Sequence, residues 1–168
     1  GLSIVQAARI AEAATIIAID PVAEKRQLAL ELGATHTIDP RCEDVAKQVR
    51  AMTMMGVHYA FEAIGTLATI EQAWALVRPT GRVVVVGMPA VKDEVRLRVG
   101  GFFQQKSITG SAYGSAVPSR DVPRLIDLYR TGKLKLDAMI TSRIPLEGVN
   151  DAFEAMARGE GARSVIVF

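Results

Sequence analysis

Asp20 combines a residue type and a position that ligand binding demands. It closes the run Thr15–Ile16–Ile17–Ala18–Ile19, which is β-branched and has no polar alternation, as expected of a strand buried on both faces. It also lies one helix downstream of a glycine, Gly1, at the chain start. In dinucleotide-binding folds, an acid near this distance from a Gly-rich turn accepts hydrogen bonds from the adenosine ribose hydroxyls. A carboxylate there repels a 2′-phosphate, which favours NAD over NADP. Asp20 also suits a plainer role, capping the helix after Pro21, and the two roles are compatible. Gly1 is the one candidate for the last of the three glycines that bring backbone N–H groups up to a pyrophosphate.

Three further loops leave strand-like runs: Ala63–Ile64–Gly65, Gly87–Met88–Pro89 and Ala112–Tyr113–Gly114. Ligands of open α/β sheets sit at such strand ends, although glycine often ends strands where no ligand binds. Arg163, just ahead of the last strand-like run, can offer paired donors to a phosphate; a surface ion pair is the commoner use of such a residue. No metal site and no catalytic residue is expected. A catalytic zinc needs three protein ligands, and Cys42, His36 and His58 lie on or beside different strands without ligand-like spacing. No Gly-x-Ser-x-Gly elbow occurs. The Tyr-x-x-x-Lys pair Tyr129–Lys133 straddles a helix end at Gly132.

The elements that position these residues follow from the hydrophobic pattern. Helices are expected over 2–14, 21–32, 43–52, 69–77, 120–130 and 149–158, with a short one near 102–106. Strands are expected over 15–19, 35–38, 58–62, 82–86, 107–112 and 164–168. Val95–Val99 alternates at period two, so it reads as a strand with one wet face. Strands alternating with helices of this length give βαβ units, a parallel sheet and a doubly wound α/β layer. The texture changes near Tyr113, which divides the chain into 1–112 and 113–168.

Composition narrows the function classes. With 168 residues, 49% of them hydrophobic, the chain is long enough for a full domain core. Its 20 basic and 18 acidic residues give a net charge of +2, no basis for nucleic acid or an anionic membrane as partner. No apolar run approaches bilayer length. Cys42 is the sole cysteine, so no internal disulfide forms, which suits a reducing cytoplasm.

Taken together, these motifs resemble one family. Ile19–Asp20, Glu24–Lys25, Leu32–Gly33–Ala34, Tyr59–Ala60–Phe61–Glu62–Ala63–Ile64–Gly65, Val86–Gly87–Met88–Pro89, Ala112–Tyr113–Gly114–Ser115 and the close Ala162–Arg163–Ser164–Val165–Ile166–Val167–Phe168 are similar to medium-chain, zinc-type alcohol dehydrogenases. The resemblance runs in register along the chain and is nearest to class III-like members. It implies a Rossmann-type coenzyme domain in which Asp20 and Lys25 bind the adenosine ribose. Ile64 and Gly65 would border the adenine side, and the backbone of Val86, Met88 and Ala112–Tyr113 would hold the nicotinamide carboxamide. Arg163 would contact the pyrophosphate.

In that family hydride moves between an alcohol or aldehyde and NAD, with zinc as Lewis acid. The zinc ligands, the first strand and most of the Gly-rich loop would lie upstream of Gly1. The expectation is therefore an incomplete Rossmann-type sheet in a fragment inactive alone, with zinc only in the complete parent. In the strand order 3-2-1-4-5-6 the absent strand is central. By the same resemblance, residues 113–168 return to the parent's catalytic domain, and the 95–99 edge joins two subunits into a homodimer. Two alternatives are a stand-alone nucleotide-binding or dimerisation module and a zinc-free quinone or enoyl reductase. Such reductases usually prefer NADPH, against which Asp20 argues.

Overall fold

The structure is a computed structural model that describes residues 1–168. In chain order it contains α1 (Leu2–Ile10), β1 (Ile17–Ile19), α2 (Ala23–Glu31), β2 (His36–Ile38), α3 (Val45–Thr53), β3 (Val57–Glu62), α4 (Leu67–Leu76) and β4 (Val77–Val85). There follow α5 (Gly100–Phe103), β5 (Ser107–Gly110), α6 (Pro118–Arg130), β6 (Ser142–Ile144), α7 (Val149–Ala157) and β7 (Ser164–Ile166). No helix is long and apolar enough to cross a membrane. Every strand pair is parallel, as the βαβ reading requires. The chain forms two compact units.

One unit comprises Leu2–Cys42 with Ser119–Phe168. Its first sheet pairs β1 with β2, and Ile19 stands opposite Ile38. Val5, Ile16, Ala29, Leu32, Ala34 and Met139 form its core. One polar side chain is buried with them and is fully matched to the backbone. Gln6 accepts from the Lys135 amide at 2.7 Å and donates to the Lys135 carbonyl at 3.2 Å. A second parallel pair, β6 with β7, closes this unit. β6 was not anticipated, because three residues with one apolar side chain leave no periodic signal.

The other unit comprises Glu43–Pro118 together with Gly1, and its sheet order is β3-β4-β5. Val83 of the central strand is fully buried, packed with Ala73, Trp74 and Val77. α3 begins where Asp44 accepts from the Lys47 amide at 3.0 Å, and Thr66 caps α4 the same way.

Several boundaries move from their expected places. α1 stops at Ile10 rather than Ala14, because Glu12 takes a left-handed φ of 59° and Ala13 donates back to the Ala8 carbonyl. β4 starts at Val77, five residues early. Pro79 cannot continue a helix and holds its predecessor extended, so the chain passes straight from α4 into a strand pairing Val77 with Val57. An irregularity near Thr80, at φ 65°, precedes the regular ladder from Arg82 onward. Val95–Val99 joins no ladder, and Val99 already turns into α5 with helical φ and ψ of -55° and -34°. Leu97 nevertheless packs on the Val83 cluster, and the Arg96 amide donates to Glu71 at 2.9 Å. The short helix expected near Phe102 lies two residues earlier, over Gly100–Phe103.

Ile38 is 1% exposed and ends β2, so it anchors the strand end that follows. Ile38→Ala is expected to destabilise the fold by about 2–5 kcal/mol. Urea denaturation, read as a lower midpoint at unchanged slope, checks this.

Candidate functional site

Seven of the ten sequence-derived site residues fall at the C-terminal ends of parallel strands. Asp20 immediately follows β1. Ile64 and Gly65 follow β3, Val86 and Met88 follow β4, and Ala112 and Tyr113 follow β5. This is where ligands of open α/β sheets bind. Lys25 lies in the first turn of α2, Arg163 directly precedes β7, and Gly1 is exposed ahead of α1.

Within the β3–β5 unit, the loops after β3 and β4 are held together by Glu62. This acid is 4% exposed. Its Oε1 accepts from the amides of Ile64 and Gly65, each at 2.8 Å, and from the Thr69 hydroxyl at 2.9 Å. Its backbone carbonyl accepts from Val86 at 2.8 Å and Gly87 at 3.0 Å. The two loops then touch backbone to backbone. A Cβ at Gly87 would sit 2.1 Å from the Gly65 nitrogen, and one at Gly65 would meet the Met88 backbone at 2.7 Å. Gly65 also has a φ of +88°, so glycine is required at both positions on separate grounds. The Ser111 amide donates to Val85 at 2.9 Å and ties the third loop to the second.

What these loops present is apolar. Ile64 is 63%, Met88 92% and Tyr113 90% exposed, and Tyr113 holds a left-handed φ of 50°. Exposed apolar side chains on tightly held backbone suit the flat faces of a bound ring system.

In the β1–β2 unit, Asp20 makes one hydrogen bond through its side chain, from the Val22 amide to Oδ1 at 2.8 Å. The expected cap is therefore a turn two residues long that leads into α2, whose own N-cap is Val22. Oδ2 of Asp20 remains available as an acceptor. Lys25 is half-buried, and it lines a cavity of about 310 Å³ with Val22, Leu28, Arg158 and Gly161. Arg163 is exposed, with its backbone fixed on Thr141, and its guanidinium makes no ion pair.

Sequence reasoning missed two features. Glu62 looked like a strand end, although its standing in Glu-Ala-Ile-Gly, just short of a glycine turn, was the available signal. The second is a charged cluster at Asp20, formed by Arg26, Asp39 and Arg41. The signal there was Asp39 closing β2 as Asp20 closes β1.

No group of three His, Cys, Asp or Glu residues could hold a metal ion. His58 instead meets Arg78 at 3.0 Å, His36 meets Thr35, and Cys42 is exposed. Zinc therefore does not fit the residues present. Within the β3–β5 unit the glycine-tight loop pair presents apolar groups, and within the β1–β2 unit Asp20 presents an acceptor and Lys25 a cation.

Parallel strands with chemistry gathered at their C-terminal ends define a Rossmann-like coenzyme-binding α/β domain. The chain belongs to the zinc-binding dehydrogenase family, whose profile matches residues 1–131. It is 36% identical over 172 residues to an NDMA-dependent alcohol dehydrogenase of Amycolatopsis methanolica, covering 99% of this chain and 46% of that protein. The crystal structure of a benzyl alcohol dehydrogenase from Acinetobacter calcoaceticus superposes with a TM-score of 0.94 at 30% identity, over 99% of this chain and 46% of the other. A zinc-binding dehydrogenase from Sinorhizobium meliloti 1021 bound to NADP gives a TM-score of 0.85 at 30% identity, over 99% and 49%. The chain thus spans about half the length of the relatives it matches.

Two outcomes follow. Glu62→Ala strips the shared acceptor from three donors and is expected to cost about 2–4 kcal/mol; Glu62→Gln, which keeps one carbonyl oxygen, costs about 1 kcal/mol. Equal losses in urea denaturation would contradict the assigned contacts. The second concerns acid. Hydrogen bonds from the Arg41 side chain and amide, with the Arg26 charge, hold the Asp39 carboxyl far below its ordinary value of 3.8, against the effect of burial. A lowered folded value gives stability that is present above the unfolded value and lost as pH falls through the folded one. Stability should therefore drop as pH goes below about 4, and less steeply in Asp39→Asn. Urea midpoints between neutral and strongly acid pH check this.

Proposed function

We propose that this chain is the coenzyme-binding portion of an NAD-dependent, zinc-type alcohol dehydrogenase, class III-like, acting between a small alcohol or aldehyde and NAD. The observation that carries the reading is Asp20, an acid at the end of a parallel strand with one carboxylate oxygen unengaged. In the β1–β2 unit, Asp20 and Lys25 serve the adenosine ribose, Arg163 the pyrophosphate. In the other, Ile64 and Gly65 border the adenine side, while the backbone of Val86, Met88 and Ala112–Tyr113 holds the carboxamide. Gly1 serves as the last glycine of the phosphate turn. The nicotinamide supplies the hydride-accepting carbon when bound.

The same reading assigns residues 1–112 to the coenzyme domain and 113–168 to the parent's catalytic part. It places zinc in the length of the relatives that this chain does not span, and it gives no alcohol turnover by the chain itself. Val95–Val99 serves as the edge of a homodimer, an assignment consistent with its alternation and its lack of a ladder partner. The lone exposed Cys42 suits a reducing, cytoplasmic setting. NADP as cofactor has one observation in its favour, the NADP-bound Sinorhizobium relative. Asp20 opposes it through repulsion of a 2′-phosphate.

Isothermal calorimetry with the oxidised dinucleotides tests the proposal. NAD binds this chain weakly, because most of a Gly-rich turn is absent from its residues, and NADP more weakly still. Asp20→Ala lowers NAD affinity by about tenfold and narrows the discrimination. Tighter binding of NADP than NAD overturns the cofactor assignment. Alcohol turnover by the chain with added zinc overturns the assignment of catalysis elsewhere.

A further inference from the structure

Two acids stand side by side at the ends of β1 and β2. The parallel register sets Ile19 against Ile38, so Asp20 and Asp39 follow at one level, and the Asp20 amide donates to the Ile38 carbonyl at 3.2 Å. Two guanidiniums reach this strand end, and both are engaged. Arg26 donates through Nη1 to the Asp20 carbonyl at 2.7 Å, and the same nitrogen lies 3.1 Å from Oδ2 of Asp39. Arg41 holds Asp39 with Nε on Oδ1 at 3.1 Å and Nη2 on Oδ2 at 2.9 Å. Its amide adds a bond to Oδ1 at 3.0 Å, and Nη2 also donates to the Pro21 carbonyl. The Asp39 side chain is 12% exposed and that of Arg26 19%, so this pairing is shielded far better than an open surface bridge.

The arrangement bears on which dinucleotide the strand end accepts. In dinucleotide-binding folds an arginine near the ribose acid accommodates a 2′-phosphate. Here two arginines bond the very backbone that carries Asp20, yet their charge is spent on Asp39. Two acids and two guanidiniums leave the cluster without net charge. Neutralising Asp39 would leave one surplus positive charge and two guanidiniums without their carboxylate.

We propose that Asp39 is a specificity-determining residue: by occupying Arg26 and Arg41 it denies a 2′-phosphorylated nucleotide the cations it needs beside Asp20. This rests on the dinucleotide reading above. Exclusion of the 2′-phosphate is then a joint property of two acids, one that repels and one that withholds.

The decisive variant is Asp39→Asn, which keeps an acceptor for the Arg41 amide and removes the charge. Calorimetry should show the NADP-to-NAD affinity ratio rising about tenfold, and returning when Arg26→Met and Arg41→Met are added. A purely structural role weakens both dinucleotides alike; an unchanged ratio overturns the proposal. Arg26→Met in the otherwise unaltered chain tests it without touching Asp39. The ratio should hold, and a fall would show that Arg26 was already available to the ligand, which also overturns it. Inorganic phosphate supplies a readout that needs no dinucleotide. The Nε–H NMR signals of Arg26 and Arg41 should ignore phosphate in the unaltered chain and shift with it in Asp39→Asn. If the unaltered chain binds neither dinucleotide, the cofactor reading falls, yet the phosphate titration still decides whether Asp39 masks the arginines. No shift in Asp39→Asn overturns the masking.

Discussion

Parallel pairing is the constraint on which the rest depends. Two parallel neighbours cannot be joined by a tight turn, so each strand must be followed by a crossover before the next begins. All the turns that leave the strands of a sheet then emerge at one edge. The β3-β4-β5 order places the loops after Glu62, Val85 and Gly110 together for this reason, with no residue in them specifying it. The register of β1 with β2 likewise puts Asp20 beside Asp39. Local sequence decides what each loop carries; strand direction decides that the loops of a sheet meet.

Three acids end strands in this chain, and their surroundings give them different work. Glu62 is buried and turned inward, and its side chain and carbonyl hold two successive loops. Asp39 is enclosed by guanidiniums. Asp20 spends one oxygen on the turn into α2 and keeps the other open. Oε2 of Glu62 is also unpartnered but buried, whereas Asp20 is half-buried. Residue type and position at a strand end are thus shared by all three, and hydrogen bonds together with burial tell them apart.

This explains what could be read from the sequence and what could not. Alternating helices and strands gave the α/β class, because short apolar runs between helical stretches stand out, although β1 is only half-buried and half of β3 is exposed. Asp20 and the glycine turns were legible since their chemistry is local: an acid after a strand, a glycine where a Cβ would collide. The roles of Glu62 and Asp39 were not. Each depends on partners brought close by the fold, such as Thr69 for Glu62 and Arg26 for Asp39. Val95–Val99 shows the opposite limit. Leu97 packs inward as the alternation expects, but the segment pairs with no strand and Val99 already has helical geometry. β6 was invisible for lack of length.

The distribution of polar groups bears on the proposed role of this chain. A nicotinamide cofactor carries the hydride chemistry itself, and the protein's share is to bind, orient and discriminate. Bond-making residues would need a base beside a nucleophile or a set of metal ligands, and no such metal group forms here. What the chain does build is fixed backbone at Ile64–Gly65 and Gly87–Met88, exposed apolar side chains above it, and an acid whose neighbouring cations are engaged. The buried carboxylate of Glu62, with one unpartnered oxygen, is costly to assemble.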